Sequence, residues 1–358
     1  MGIRYLNAAA LAGLAAVLLL AAHPSLAQSS GESALTRSAG EAATPPMWRV
    51  VDDDSEIFLL GTIHVLHPNL DWRPTYLAKA LDTSEDFLWL EADTETRPAQ
   101  IRAADFATAE GRLPVGQSLP DMLDHEDADR LRKMVTEIGA PMSDFETMRP
   151  WLAYLSLSFY SAAAEGFDPN VGVEKVLTSE WRARGRKIRY FESIEEQLSI
   201  LAALAPDVQK NLLVKVLREW DRGEASLEGL FSAWWAGDAQ AINDIMNDTL
   251  RQEAPEVFVK LVTERNEGWV KQIALEMQGA GKGLIAVGAG HLAGEGSVPA
   301  LLKANGFKVE RYGVAADAEE TAPQTPPPAA NDNAPEDKAD DAIGDLLEDL
   351  DTDENSEQ

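Results

Sequence analysis

The chain contains no cysteine among its 358 residues. Disulfides, thiolate nucleophiles and cysteine-ligated metals are therefore excluded, and any metal would have to be held by imidazole and carboxylate. Positive charge is also short: 31 lysines and arginines face 60 acidic residues, for a formal net charge of -29. Nucleic-acid binding relies on lysine and arginine contacts with phosphate, so this balance disfavours nucleic acid and, equally, anionic lipid. The expected partners are neutral or basic molecules, or divalent cations. Several signatures are missing as well. There is no His-Glu-x-x-His motif and no Gly-x-Ser-x-Gly elbow, the marks of common zinc proteases and serine hydrolases. "GAGKG" and "GAGHLAG" lack the sequence context of phosphate and dinucleotide loops, so no nucleotide cofactor is expected.

Long apolar runs are confined to one place, the uncharged block from Ala8 to Ala22 that follows Arg4. It is shorter than the ~20 residues that span a bilayer. With Ser25 and Ala27 before Gln28 it reads as a signal peptide, which implies a periplasmic or secreted protein with no integral membrane segment after processing. The expected organisation is a signal peptide over 1–27, a flexible leader over 28–46, an α/β domain over 47–313 and a disordered acidic tail over 314–358. From Asp317 to Gln358 there are 15 acidic residues and one lysine. Within that tail Ile343, Leu346, Leu347 and Leu350 have helical spacing and could fold onto a partner.

Inside the domain, "MWRVVDDDSEIFLLGTIHVL" reads as two strands around an Asp-Asp-Asp-Ser turn, with Ile57 to Leu60 central in a sheet. A helix from about Pro74 to Leu81 precedes a strand from Phe87 to Leu90 that ends on Glu91. The middle third is helical by periodicity, apart from a strand at Lys187 to Ser193 ending near Glu192. The tryptophans at 220, 234, 235 and 269 read as packing residues, because a nucleic-acid stacking platform would need basic neighbours. A buried strand at Gly283 to Val287, a tight turn at Gly288 to Gly290, a helix at Val298 to Asn305 and an edge strand at Phe307 to Tyr312 close the domain as a βαβ unit. The expected architecture is α/β, with a central mixed, largely parallel sheet and a large helical middle region.

Two stretches repeat one design. Gly61-Thr62-Ile63-His64 and Gly288-Ala289-Gly290-His291 each end an apolar strand on a glycine and bring out a histidine three residues later. Parallel strands gather their C-terminal ends along one edge, where ligands bind, so His64 and His291 are expected to meet there. The alternative for either is a hydrogen-bonded turn residue. Glu91 and Glu192, also at strand ends, supply carboxylates for the same edge. Imidazole with carboxylate can hold a divalent metal or form a metal-free base pair, and the spacing does not choose. Glu174, opening a helix, is either a third carboxylate or a favourable N-terminal charge. Arg265 could stabilise an oxyanion and Asn266 could orient water, unless both face solvent or Glu264 neutralises the arginine. His67 is either a second-layer group or loop packing, and His125 reads as an exposed helix residue.

With these motifs in view the chain resembles the TraB/PrgY/GumN family, through "FLLGTIHVLHP", "LWLEAD", "VGVEKVL", "YFESIEEQL", "TERNEGWVKQI" and "LIAVGAGHLAGEGSVPALLKANGFKVERY". The resemblance covers residues 47 to 313. It implies a fold related to the Tiki membrane-associated proteases and, more distantly, to erythromycin-esterase-like and haem-uptake ChaN-like proteins. Tiki relatives are divalent-metal-dependent proteases, and other members are linked to inactivating a peptide pheromone. The family pattern falls on Gly61, His64, Glu91, Glu192, Arg265, Asn266, Gly288 and His291; at Glu174 the family commonly has aspartate.

The expectation is a secreted hydrolase, a divalent-metal-dependent peptidase using Mn, Co or Zn on a peptide or small amide-like substrate. His64, His291 and Glu91 would hold the metal, with Glu91 as ligand or base for an attacking water and Arg265 stabilising the developing negative charge, and Glu192 and Asn266 complete the catalytic set. Two alternatives stay open: a metal-independent His/Glu ester or amide hydrolase, and a periplasmic ligand-, metal- or haem-binding protein without catalysis.

Overall fold

The computed structural model describes residues 42–224 and 226–313. The signal peptide, most of the leader and the acidic tail expected from the sequence lie outside them. Six strands form one sheet in the order β4-β3-β5-β2-β1-β6, with β1 Met47–Val51, β2 Ser55–Thr62, β3 Phe87–Ala92, β4 Lys187–Glu192, β5 Gly281–Gly288 and β6 Lys308–Arg311. β2, β5, β3 and β4 are mutually parallel, and β1 runs antiparallel to both β2 and β6. This is the expected mixed, largely parallel α/β sheet. In the β1–β2 hairpin Asp52 Oδ1 accepts the Asp54 and Ser55 N–H groups at 3.2 and 2.7 Å, the local bond that makes an Asp-rich segment turn.

The continuous apolar runs are explained by burial on both faces. Phe58 and Leu60 of β2, Leu88 and Leu90 of β3, and Leu284 and Ala286 of β5 enter one apolar cluster. The intervening Ile57, Leu59, Phe87, Ile285 and Val287 enter another on the opposite face. The first face is covered by α1 Thr75–Thr83, α5 Val173–Ala183 and α8 Glu228–Trp235; the second by α9 Glu264–Glu276 and α10 Val298–Ala304. A third cluster lies in the helical region of α2 Arg97–Glu110, α3 His125–Glu137, α4 Pro150–Ala164, α6 Ile194–Ala202 and α7 Pro206–Arg222. Each fully buried leucine or isoleucine in these layers contributes about 1.5–3 kcal/mol.

Two expectations are corrected here. The leader does not stay free up to residue 46: Ala43, Pro45 and Pro46 are buried, the Thr44 N–H donates to the Trp235 carbonyl at 2.7 Å, and Pro46 accepts the Gly61 N–H at 2.8 Å. β5, α10 and β6 do form a βαβ unit with parallel strands, but β2 and β1 separate the two strands in the sheet. Among the described residues no helix is long and apolar enough to cross a membrane.

Candidate active site

The parallel strands deliver their C-terminal ends to one edge. β2 leads to His64, β3 carries Glu91, β4 ends on Glu192, and β5 ends on Gly288 before the 3-10 turn Ala289–Leu292 that holds His291. That short helical turn stands where the tight turn was expected. Asn247 braces it, donating to the carbonyls of Gly290 and Ala293 at 2.9 and 3.1 Å. On the other side Trp234 Nε1 donates to the Gly61 carbonyl at 2.8 Å, so one expected packing tryptophan also anchors the turn before His64.

His64 is partly buried, with 20% of its side chain exposed, and its Nδ1 lies 2.8 Å from Glu174 Oε1. The Thr62 hydroxyl donates to the same oxygen. Glu174 sits in the first turn of α5, and Gly172 is what lets that turn reach the histidine. A Cβ on Gly172 would stand 2.0 Å from the His64 carbonyl oxygen, while the Val173 N–H donates to Ile63 at 3.2 Å. Burial pushes the His64 pKa down, but the Glu174 and Glu91 carboxylates outweigh it and leave the imidazole more basic than usual. With Nδ1–H committed to Glu174, Nε2 carries the free lone pair of the neutral ring.

His291 is fixed differently. Asn266 Nδ2 donates to Gly296 at 2.8 Å, so its Oδ1 accepts from His291 Nδ1 at 2.7 Å, and His291 Nε2 then accepts from Arg265 Nη1 at 3.0 Å. Burial first, then the Arg265 charge, hold the ring neutral, with its pKa depressed to about 3. Trp269 packs on it with ring centroids 4.5 Å apart.

Arg265 is the hub. Nε donates to Glu192 at 3.0 Å, Nη2 to Glu91 at 2.6 Å and to Glu192, and Nη1 to the Leu261 carbonyl at 3.1 Å as well as to His291. All five guanidinium hydrogens are thereby used. Gln197 links the same two carboxylates, 3.0 Å from Glu91 and 3.3 Å from Glu192. Burial alone would raise the Glu91 pKa, but Arg265, the two histidines and the Gly288 N–H at 2.6 Å bring it to about 2. At Glu192 burial prevails over Arg265 and the pKa stays raised.

These contacts correct several expected roles. Arg265 has no spare donor for an oxyanion, and Asn266 is spent on orienting His291, so both position other groups. Glu264 does not silence Arg265, because it pairs with Lys260 at 2.6 Å. His67 is away from the centre, packed on Phe167 with its nitrogens 3.3 Å from Gly166 O and Glu228 Oε1. His125 is exposed, as expected. Thr62, Gln197, Gly172 and Asn247 were missed; the only sequence hints were the closeness of Thr62 to His64 and the single turn between Glu192 and Gln197.

The working space lies over Gly288. A methyl placed there would be 3.1 Å from Glu91 Oε1, 3.7 Å from His291 Cδ2 and 3.9 Å from His64 Nε2. Nearby a cavity of about 30 Å³ is lined by His64, Glu91, Glu174, Tyr190 and Gln197, room for about one water. Glu174 Oε2 is buried without a partner. A divalent ion on His64, His291 and Glu91 would need three converging lone pairs, yet the His291 Nε2 lone pair already accepts from the Arg265 guanidinium and Nδ1 is bonded to Asn266. No group of three or more His, Asp or Glu side chains among the described residues is spaced to hold a metal. The expected ligand set does not fit the ion.

The fold and centre together define a class: an α/β domain whose histidines and carboxylates assemble at the C-terminal edge of a largely parallel sheet. More particularly, the chain belongs to the TraB/PrgY/gumN family, whose pattern matches residues 46–311. It is 28% identical to the uncharacterized protein YbaP of Escherichia coli (strain K12) over 261 residues, 72% of this chain and 92% of that protein. It is also 28% identical to YbaP of Shigella flexneri over 246 residues, 68% of this chain and 87% of that one. No solved structure matches the chain.

Proposed function

We propose that the protein is a metal-independent hydrolase of an ester or amide bond, with His64 as general base and Glu174 as the group that holds it. The observation that carries this reading is the His64 Nδ1 to Glu174 contact of 2.8 Å, with Nε2 left toward the space over Gly288. A water in the adjoining small cavity attacks the substrate carbonyl and gives its proton to His64 Nε2. Glu174 stabilises the imidazolium, which then returns the proton to the leaving oxygen or nitrogen. Glu91 stays ionised and fixed by Gly288 and Arg265, adding negative potential beside the imidazolium. The amino-terminal apolar block supports a periplasmic or secreted setting, and the substrate classes are a peptide or a small ester or amide.

The test is a panel of chromogenic esters and fluorogenic peptide amides offered to the purified full chain with EDTA present. Turnover that survives EDTA and falls 10²–10⁴-fold in His64→Ala supports the reading. Turnover that requires added Mn, Co or Zn, turnover unchanged in His64→Ala, or no turnover of any member overturns it.

A further inference from the structure

A second cavity, of about 230 Å³, lies in the helical region between α4, α7 and the segment from Met246 to Leu261. It is below the ~300 Å³ of sites that take whole small molecules, so its natural occupant is a single side-chain-sized group. The walls include Leu212, Val216, Leu250 and Val257, while Glu219 and Tyr154 also line it. Both polar residues are buried, at 3% and 5% exposure. Neither the Glu219 carboxylate nor the Tyr154 hydroxyl has a hydrogen bond among the described residues. Two cations act on Glu219: Lys215, at 3.8 Å and in closer contact with Glu253, and Arg222. Burial is only partly offset by Lys215 and Arg222 and pushes the Glu219 pKa up to about 7, as befits a carboxylate with no close partner.

Two residues of its lining touch the residues that hold the reaction centre. Met246 Cε and Sδ each lie 3.2 Å from where a methyl on Gly290 would stand, and the Leu261 carbonyl accepts from Arg265. Met246 and Leu261 sit in the π-helical turns Asp244–Asp248 and Val259–Thr263, a geometry that recurs at functional sites.

We propose that this cavity binds an apolar group bearing a protonated amine, the ammonium on Glu219 and Tyr154 and the carbon chain against Leu212, Val216, Leu250 and Val257. The ammonium supplies the hydrogen bonds that the carboxylate and the hydroxyl do not find within the protein. Assigning that group to the substrate rests on the hydrolase reading; the binding itself does not.

Calorimetric titration of the full chain with hexylamine, hexan-1-ol and hexanoate tests the site. Saturable one-to-one hexylamine binding is expected, at least tenfold tighter than hexanoate. Glu219→Gln should weaken hexylamine at least tenfold and leave hexan-1-ol unchanged. Tyr154→Phe should weaken hexylamine severalfold, which keeps the test decisive if Glu219→Gln does not fold. No saturable hexylamine heat, equal binding of hexanoate, or hexylamine affinity unchanged in the folded variants would overturn the proposal. Because the readout is heat of binding and not turnover, failure of the site and failure of the hydrolase reading are separate results.

Discussion

His64 Nδ1 and Glu174 Oε1 meet at 2.8 Å although one follows a strand and the other opens a helix far along the chain. The pairing gives one histidine of the centre a charged support and leaves its other nitrogen free. Since the carboxylate favours imidazolium, the base becomes available only as pH rises through a value above 6.5. Hydrolysis should therefore increase along a single rising limb above that pH. Glu174→Gln should move the limb to lower pH and reduce the plateau rate, both read from a pH–rate profile.

His291 gives the opposite sign. Unfolded it binds a proton near 6.5, whereas folded it stays neutral down to about 3. Its contribution to stability is complete above pH 6.5 and is lost as pH falls toward 3. Glu91 acts in the same direction, complete above 4.5 and lost toward 2; the raised Glu192 opposes both. His291→Gln removes the first contribution and, because the His291 charge helps to lower the Glu91 pKa, weakens the second, whose window lies below pH 4.5. Between pH 6 and 4, urea unfolding should show wild type losing stability more steeply than His291→Gln, the difference approaching one proton, ~1.4 kcal/mol per pH unit.

Arg265 is 7% exposed at its side chain and is the cation shared by Glu91 and Glu192. Arg265→Met would leave two buried carboxylates to neutralise by protonation or to bring in water. Removing one partner from a buried ion pair costs about 3–5 kcal/mol, so a loss of that size is expected in denaturant unfolding. Arg265→Lys should recover part of the stability, because the charge remains but the planar fork does not.

Gly288→Ala separates site from scaffold. The backbone at Gly288, with φ -49° and ψ 133°, suits any residue, so folding should be little affected. The new methyl would stand 3.1 Å from Glu91 Oε1 and occupy the space that His64 Nε2 faces. At least a tenfold fall in turnover is expected, with thermal unfolding changed by a few degrees or less.

Much of this architecture is legible in one dimension because it rests on periodicity. Apolar runs at 57–60, 87–90 and 283–287 could satisfy two buried sheet faces only as central strands, and strand-end residues of parallel neighbours necessarily share an edge. That logic suffices to gather His64, Glu91, Glu192 and His291. It cannot assign partners within the gathering. Glu174 reads equally as a third carboxylate or a first-turn helix charge, and only the docking of α5 over His64, permitted by Gly172, makes it the histidine's support. Arg265 reads as an oxyanion donor, a solvent-facing group or a partner of Glu264, and only its burial between two strand-end carboxylates and His291 shows all its donors occupied. Sequence sets which residues end which elements, because side-chain periodicity and turn chemistry are local. Which nitrogen meets which oxygen depends on helix placement over the sheet, so tertiary packing alone decided that His64 would pair with Glu174 and keep Nε2 free, and that His291 would be the neutral, fixed ring.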